Sequence, residues 1–336
     1  MAVTVKMDEK SKRRAGAAPT ADIGDYIVEG ERGEGTKAFL IWIVLMLALT
    51  AGLCVLAETR DFGIGIFAWW ILSVVVYFFI APRMVARRLR LHGTEYAITS
   101  RRHPRLKTLL SKGSTMIGVP EPEGFLTDET NTHVGILGGG QPFVIVTGGA
   151  AQSLLPPELD CLTLRCLVHI RLRHVRRLML LQFLGDTPPA LRLLAWPVAI
   201  YGALLRLNWH DMAEQSADRL TLLLVKNPKL LMSALLKQFA SSDPAMQSQG
   251  ISAEDVDKYI KQGGLIGNSG TEISTQYKIG SAIQSNPYLE DRIRALTAWV
   301  NAPEYVAALE QMAEKRAAKT AAAPAPTPPA KAPTTG

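Results

Sequence analysis

The sequence predicts an α+β protein that is mainly α, with a two-span transmembrane hairpin ahead of a larger domain that contains a small β-sheet. Three observations favour this class. Hydrophobic residues make up 48% of the 336 residues, and two runs of 20 residues near the N-terminus contain no charge. Phe143–Thr147 is a β-branched stretch flanked by glycines, as expected for a strand. We expect the remainder of the larger domain to be largely helical.

The chain divides into four parts by composition. Residues 1–37 are polar, lack a periodic apolar pattern and are expected to form a disordered arm. Residues 38–82 form the transmembrane hairpin, and residues 83–314 form one domain. Residues 315–336 are rich in Ala, Pro and Thr, and such a segment cannot bury enough apolar surface to fold.

The two charge-free runs are Ala38–Ala57 and Phe62–Ala81. Each is long enough to cross a hydrocarbon layer of about 30 Å as a helix, and the short Glu58–Asp61 connection makes them a tight hairpin. Two buried core helices are the alternative. Basic residues flank both outer ends of the hairpin, so the positive-inside rule predicts a multi-pass protein of a bacterial-type inner membrane with both termini and the main domain cytoplasmic. These residues are Lys10, Lys12, Arg13 and Arg14 before it, and Arg83, Arg87, Arg88 and Arg90 after it.

Within the main domain, three segments are expected to form the sheet: Gly124–Leu126, His133–Leu137 and Phe143–Thr147. The three glycines 138–140 between the last two predict a hairpin turn. Leu193–Leu205 is apolar but only 13 residues long and contains a proline, so it is too short to span and either packs in the core or lies at the membrane interface. The three cysteines imply no disulfide framework and fit a reducing compartment: Cys54, Cys161 and Cys166.

A helix is predicted after Pro156-Pro157, and its sequence R-C-L-V-H-I (Arg165–Ile170) differs from a zinc-protease motif at two of the three functional positions. Such enzymes carry H-E-x-x-H, in which two His on one helical face bind zinc and the Glu activates the zinc-bound water. Here Arg165 stands at the first His position and Cys166 at the Glu position. Only the second His is present, as His169.

Further motifs occur around this helix in a fixed order, and together with it they resemble the HtpX-type integral-membrane zinc metallopeptidases. They are H-P-R-L (His103–Leu106) with G-V-P (Gly118–Pro120), Q-P-F-V-I-V-T-G-G (Gln141–Gly149) with L-L-P-P-E-L (Leu154–Leu159), A-E-Q-S-A-D-R-L (Ala213–Leu220), and N-P-Y-L-E-D-R-I-R-A-L (Asn286–Leu296).

The resemblance implies a zincin-like cytoplasmic domain in which Glu214 matches the third zinc ligand and Asp218 holds the site together by outer hydrogen bonds. It also implies a degenerate member, since Arg165 and Cys166 replace two functional residues. Asn286 stands where the family often has His, which is a further departure. The remnant site is then His169, Glu214 and Asp218, with no catalytic residue expected.

Two arrangements of the remnant site are open. If a metal is present, Cys166, His169, His210 and Glu214 are the candidate ligands, with zinc as the metal, although the positive charge of Arg165 opposes it. His174 lies five residues after His169, about 140° around a regular helix, and is not expected to share a metal with it. Without a metal, Glu214 needs a cation, and we expect an Arg165–Glu214 ion pair that His169 completes, with Asp218 as the other candidate partner.

The formal net charge is +7, and several arginines follow the motif on what is expected to be the same helix as Arg165. No nucleic-acid recognition motif accompanies them. They are interpreted as a surface for anionic lipid or for an acidic membrane partner, with solvated surface charge as the alternative. They are Arg171, Arg173, Arg176 and Arg177.

These observations together predict a membrane-anchored pseudo-peptidase, without a cofactor, that binds membrane proteins or serves as a scaffold or assembly subunit of a membrane complex. Catalysis with a Cys166–His169 pair is the less favoured chemistry, because a buried Cys is usually inert. The alternative function is an active membrane zinc metalloendopeptidase with altered ligands.

Overall fold

The chain folds mainly into helices, with one three-stranded sheet, in this computed structural model. The structure describes residues 26–57, 60–80, 83–84, 87, 96–138, 141–185, 187, 192–248, 250–261, 279 and 287–321. The mainly helical class with a small sheet is therefore confirmed. Asn286 and glycines 139–140, together with the basic residues Lys10–Arg14, Arg88 and Arg90, lie outside the described residues.

Two apolar helices stand side by side at the start of the described chain. Helix α1 is Glu31–Ala57, and helix α2 is Arg60–Val75, which continues as a π-helical turn through Ile80. By length and composition both are apolar enough to cross a membrane, with mean hydropathies of 2.6 and 2.2. Only 17% of each apolar stretch is buried, so most of these side chains face outward.

The sheet consists of β1 (Glu123–Thr127), β2 (Val134–Leu137) and β3 (Phe143–Thr147), in the order β1-β3-β2. Strand β3 runs parallel to β1 and antiparallel to β2. Val144 in β3 is fully buried, which explains why the central strand has an unbroken apolar sequence. The three strands expected from the sequence are all present, to within two residues at their ends.

Helix α3 (Pro104–Ile117) precedes the sheet, and the short helix α4 (Gly148–Ser153) follows it. The next helix, α5, is Pro156–Arg171. It begins at the first proline rather than after the pair, because proline lacks an N–H group that the first helical turn would leave unpaired. At the same end the backbone N–H of Leu155 donates to the Glu158 carboxylate at 2.8 Å.

Helix α5 ends at Arg171, and helix α6 (Val175–Gly185) starts a new direction. Arg173, between them, has a φ of 62°, in the left-handed region that stops a helix. The expectation that all the arginines share one helix was therefore wrong: Arg176 and Arg177 belong to α6.

Helix α7 (Arg192–Leu204) continues through a π-helical turn (Leu205–Trp209) directly into α8 (His210–Val225). The segment that was too short to span a membrane is thus the first part of a longer helix. It packs against α1, where the Trp42 indole N–H donates to the carbonyl oxygen of Pro197 at 2.6 Å.

Five helices complete the described fold: α9 (Pro228–Ser242), α10 (Pro244–Ser248), α11 (Ala253–Lys261), α12 (Pro287–Val300) and α13 (Pro303–Ala321). The main core surrounds α5, which packs against α3, α8 and α9. Buried Lys237 of α9 ties the start of α5 to α11, since its Nζ lies 2.9 Å from Glu158 and 2.7 Å from Asp257.

The structure differs from the compositional divisions at both ends of the chain. Residues 31–37, placed in the N-terminal arm, are the first turns of α1, and Glu31 is buried. Residues 315–321, placed in the tail, are the end of α13. At the N-terminal end the first turn of α1 is held against the domain, because buried Glu31 contacts His174.

Candidate functional site

Arg165, at the first position of the altered motif, lies inside the protein and contacts two carboxylates of α8. Its Nε donates to Asp218 Oδ1 at 2.8 Å, and its Nη2 donates to the Glu214 carboxylate. The exposed fractions are 7% for Arg165, 8% for Glu214 and 1% for Asp218. The ion pair between Arg165 and Glu214 expected from the sequence is present, and Asp218 is a partner as well.

Arg292 of α12 approaches the same two carboxylates. Its Nη2 donates to Asp218 Oδ1 at 2.8 Å, its Nε donates to Asp218 Oδ2, and its Nη1 lies 3.0 Å from Glu214 Oε2. Two guanidinium groups therefore balance two carboxylates, which is what buried charges require. The sequence assigned Arg292 no part in the site, although it lies in the last of the resembling motifs.

The electrostatics of the cluster favour the charged forms of Glu214, Arg165 and Arg292. Burial alone would raise the pKa of Glu214, but Arg165 and Arg292 together hold it well below its usual value. Burial and Arg292 lower the pKa of Arg165, and the opposing effect of Glu214 and Asp218 leaves it raised. Neither arginine can lose its proton near neutral pH, so the cluster is a fixed set of ion pairs.

His169 joins this cluster to a second histidine. Its Nε2 lies 3.5 Å from Glu214 Oε1, too far for a hydrogen bond, and that Nε2 is buried without a hydrogen-bond partner. Its Nδ1 lies 3.1 Å from Nδ1 of His174. The expected separation of about 140° around one regular helix does not hold, because the helix ends between the two histidines and the turn at Arg173 brings His174 back.

His174 in turn contacts the start of α1. Its Nε2 lies 2.6 Å from Glu31 Oε1, and its ring meets the Trp209 indole edge-on, with centroids 5.5 Å apart. Glu31, His174 and His169 are each no more than 3% exposed. A continuous buried path of polar side chains thus runs from the first apolar helix to Glu214.

Cys166 is buried and chemically inert at neutral pH. Burial raises the pKa of its thiol to about 12, and the nearby Arg165 only partly opposes this. Burial likewise raises the pKa of Cys161 to about 12. Nucleophilic catalysis needs a thiolate, so the structure gives no support to a Cys166–His169 pair.

The residues at this position do not fit a zinc ion. The Arg165 guanidinium lies against Glu214, whose Oε2 is also 3.0 Å from Arg292. His210 points elsewhere: its Nδ1 is 3.4 Å from Asp211, and its ring packs on Tyr288. Across the described ranges, no group of three or more His, Cys, Asp or Glu side chains is placed to hold a metal ion.

A cavity of about 520 Å³ opens beside the ion-pair cluster, between α8, α12 and the start of α13. Glu214 and Arg292 form part of its wall. Three alanines also line it, and its polar and aromatic side chains include Asp211, Arg219, Tyr288, Asp291, Trp299 and Glu304. Thus the cluster, although buried, borders a space large enough for a ligand.

The basic residues expected to form a binding surface lie around the turn between α5 and α6. Arg171, Arg173 and Arg176 are exposed. Arg177 is half-buried, and its guanidinium lies 5.1 Å from the centre of the Trp209 ring. It also packs on Gly35 of α1, where an added Cβ would overlap the guanidinium.

Three residues of the site were missed by sequence reasoning: Arg292, His174 and Glu31. A usable signal existed for Arg292, because two buried acids, Glu214 and Asp218, need more than one cation. No local signal identified His174 or Glu31, since their contacts depend on how the turn after α5 meets the start of α1.

Comparison with known proteins gives one distant relationship. No family model matches the chain, and no solved structure matches it. Over 234 residues it is 22% identical to the plastoglobule-localized metallopeptidase 48, chloroplastic, of Arabidopsis thaliana. The match covers 66% of this chain and 64% of that protein, so the chain spans less than two thirds of its relative. The chain is therefore a distant relative of a metallopeptidase, which agrees at this coarse level with the motifs around α5.

Proposed function

We propose that the protein is a membrane-anchored, non-catalytic member of the HtpX-type metallopeptidases with a zincin-like domain that binds polypeptide segments of membrane proteins. The observation that carries this proposal is the position of Arg165. Its guanidinium lies between Glu214 and Asp218, where the resemblance to these enzymes places the zinc site. A permanent positive charge there repels a zinc ion. It also forms an ion pair with the carboxylate that would otherwise bind the metal.

The rest of the site supports loss of catalysis with retention of the fold. Cys166 stands where these enzymes have a Glu that acts as general base, and it has no carboxylate to do so. Burial raises the pKa of its thiol and keeps it protonated. The cluster instead joins α5, α8 and α12 through internal ion pairs. Such a domain keeps a ligand-sized cavity beside the former site, and binding is the activity that remains available to it.

Metal content tests this proposal. The full-length protein, purified in mild detergent, is compared by elemental mass spectrometry with an Arg165→His, Cys166→Glu double variant, both after exposure to zinc. We expect no stoichiometric zinc in the natural protein and about one zinc per chain in the double variant. Adding Glu214→Ala to the double variant should remove the metal again.

Stoichiometric zinc in the natural protein that is lost in Glu214→Ala would overturn the proposal in favour of an active metalloendopeptidase with altered ligands. A peptidase assay on a fluorescent protein substrate gives an independent readout. Cleavage by the natural protein that a chelator abolishes would lead to the same conclusion.

We also propose that the domain lies on the cytoplasmic face of a bacterial-type inner membrane, with the turn between α5 and α6 at the headgroups of anionic lipids. Arg177 packs on Gly35, shortly before the charge-free part of α1 begins. At the far end of α2, Arg83 donates to the carbonyl oxygen of Phe79 at 2.8 Å. An arginine therefore lies next to each apolar helix at the same end of the hairpin, which suits anionic headgroups.

Reconstitution tests the lipid proposal. The protein in nanodiscs of phosphatidylglycerol should unfold at a higher temperature than in nanodiscs of phosphatidylcholine, and the difference should shrink as salt is added. An Arg171→Gln, Arg173→Gln variant should lose most of the difference. Equal unfolding temperatures in the two lipids would contradict a headgroup contact.

A further inference from the structure

The cavity between α8, α12 and α13 contains an arginine that the ion-pair cluster does not use. Arg219 follows Asp218 in the sequence, and its guanidinium lies 4.8 Å from the centre of the Trp299 ring. Arg219 is half-buried, and its Nε is buried without a hydrogen-bond partner. A buried N–H group without an acceptor is costly unless something binds it.

The other two arginines of the cavity are already neutralised. Arg292 is bound to Asp218 and Glu214. Arg294 lies at the outer edge, where its Nη1 is 3.6 Å from Asp291 and its Nη2 contacts Glu290. Among the arginines that the structure describes in this cavity wall, Arg219 is therefore the one that remains available for an anion.

The charges around Arg219 limit the kind of anion. Asp211, Asp291 and Glu304 also line the cavity. Three carboxylates repel a dianion such as a phosphate monoester, and they repel a nucleic acid backbone more strongly. A single carboxylate with N–H groups next to it fits better, because the arginine binds the carboxylate and the acids accept from the N–H groups.

We propose that this cavity binds the carboxylate of a polypeptide, with Arg219 as the anion-binding residue and Trp299 as the aromatic wall beside it. The carboxylate belongs either to a chain terminus or to an Asp or Glu side chain. A planar guanidinium pairs with a carboxylate through two parallel hydrogen bonds, and stacking on Trp299 holds its plane in place. The inference rests on the proposed function, which supplies polypeptide as the ligand.

The volume of the cavity suits a short segment of chain rather than a folded surface. About 520 Å³ lies within the range of roughly 300–1,000 Å³ that is typical of small-molecule sites. Burial also lowers the pKa of Arg219, and Glu304 only partly opposes this. An incoming carboxylate would relieve that cost.

Peptide binding by the full-length protein in detergent tests the proposal. The probe is a pool of hexapeptides of randomised sequence with an N-terminal fluorophore, prepared in three forms. The first form has a free carboxyl terminus and no acidic residues, and the second is the same pool with the terminus converted to a carboxamide. The third is a carboxamide pool that contains one fixed glutamate. Fluorescence anisotropy measures binding. We expect at least one of the two carboxylate-bearing pools to bind at least tenfold more tightly than the plain carboxamide.

The glutamate pool distinguishes the two sources of carboxylate. Tight binding of the free acid alone assigns the site to a chain terminus, and tight binding of the glutamate carboxamide alone assigns it to an acidic side chain. Equal affinity of the three pools, or absence of saturable binding, would overturn the proposal.

Matched variants connect the effect to Arg219. Arg219→Gln should abolish the preference for carboxylate, and Arg219→Lys should retain only part of it because the two-point contact is lost. Arg294→Gln removes the same charge from the same cavity and should leave the preference intact. Glu304→Gln removes a negative charge from the cavity and should strengthen binding of the carboxylate severalfold. A gain of affinity cannot be explained by misfolding of the variant. An equal loss in Arg219→Gln and Arg294→Gln would contradict the assignment.

Mass spectrometry of the recovered peptides separates this inference from the proposed function. Shortened peptides would mean that the protein cleaves them, and the proposed function would fail. Intact peptides that bind without regard to their carboxylate would mean that the cavity assignment fails while the non-catalytic function stands.

Discussion

Glu31 and His174 are 143 residues apart in the sequence, and their side chains meet at 2.6 Å inside the protein. The contact joins the first turn of an apolar helix to the turn that follows α5. Because His174 also touches His169, the start of α1 is in contact with the ion-pair cluster through only two imidazole rings.

Glu31→Ala should destabilise the protein by about 1–3 kcal/mol, since it leaves a buried imidazole without its partner. Glu34→Ala is the matched control on the same helix, because Glu34 pairs with exposed Lys37 at 2.7 Å. An exposed pair of this kind contributes about 0–1 kcal/mol. Thermal unfolding followed by tryptophan fluorescence compares the two, and equal losses would argue against a structural role for the Glu31–His174 contact.

Arg165→Leu should be strongly destabilising, by about 3–5 kcal/mol, because it leaves two buried carboxylates facing one arginine. Adding Glu214→Gln removes one of the two negative charges and should recover part of the loss. A double-variant cycle with Glu214→Gln alone measures this coupling. Strictly additive effects of the two substitutions would show that Arg165 and Glu214 do not interact in solution.

Stability should decrease as the pH falls from about 6.5 toward 5. Burial is the main cause that lowers the pKa of His169 well below its ordinary value, and Arg165 adds to it. The unfolded chain then binds a proton below about pH 6.5 that the folded protein does not, so stability is lost as the pH falls, by up to about 1.4 kcal/mol per pH unit. The depressed pKa of Glu214 acts in a lower window, below about pH 4.

The measurement is the free energy of unfolding in urea at several pH values. His169→Gln should reduce the slope by about one proton. Burial also lowers the pKa of His133, so His133→Gln should reduce the slope as well. A slope that neither variant changes would assign the pH dependence to other groups.

Arg173→Gly should stabilise the protein by about 0.5–1 kcal/mol, because Arg173 has a φ of 62° and glycine adopts this conformation without steric cost. Arg171→Gly provides the contrast. It removes an equal charge from the last residue of α5 and should instead destabilise by up to about 1 kcal/mol. Chemical unfolding distinguishes them, and a loss of stability in Arg173→Gly would mean that its side chain matters more than its backbone conformation.

The elements that could be predicted from the sequence are those with a strong local pattern. Strand β3 occupies the same residues as the predicted strand, because an unbroken β-branched run suits a central strand. The Arg165–Glu214 pair could be predicted because aligned motifs placed an arginine beside an acid that the fold would bury. The strand needed only a local pattern, whereas the ion pair needed the arrangement of the site that the resemblance implies.

The parts that could not be predicted depend on long-range packing or on an unmarked helix end. Arg292 lies 74 residues from Asp218, and only the docking of α12 brings them together. The end of α5 has no glycine or proline to mark it, so the rings of His169 and His174 were placed on one helix. Buried Lys237 pairs with Glu158 and Asp257, which belong to two other helices. The sequence of its own helix does not indicate these partners.

The π-helical turn at Leu205–Trp209 fixes the rotation of one end of a long helix relative to the other. A π-turn is equivalent to one extra residue in an α-helix, and each residue corresponds to a rotation of about 100°. Tyr201 packs on Trp42 of α1 with ring centroids 5.2 Å apart, whereas Glu214 faces Arg165. Deleting exposed Leu207 would restore regular α-helix and turn one of these faces away from its partner. The extra residue therefore allows a single helix to direct one face toward α1 and another toward the buried ion pairs.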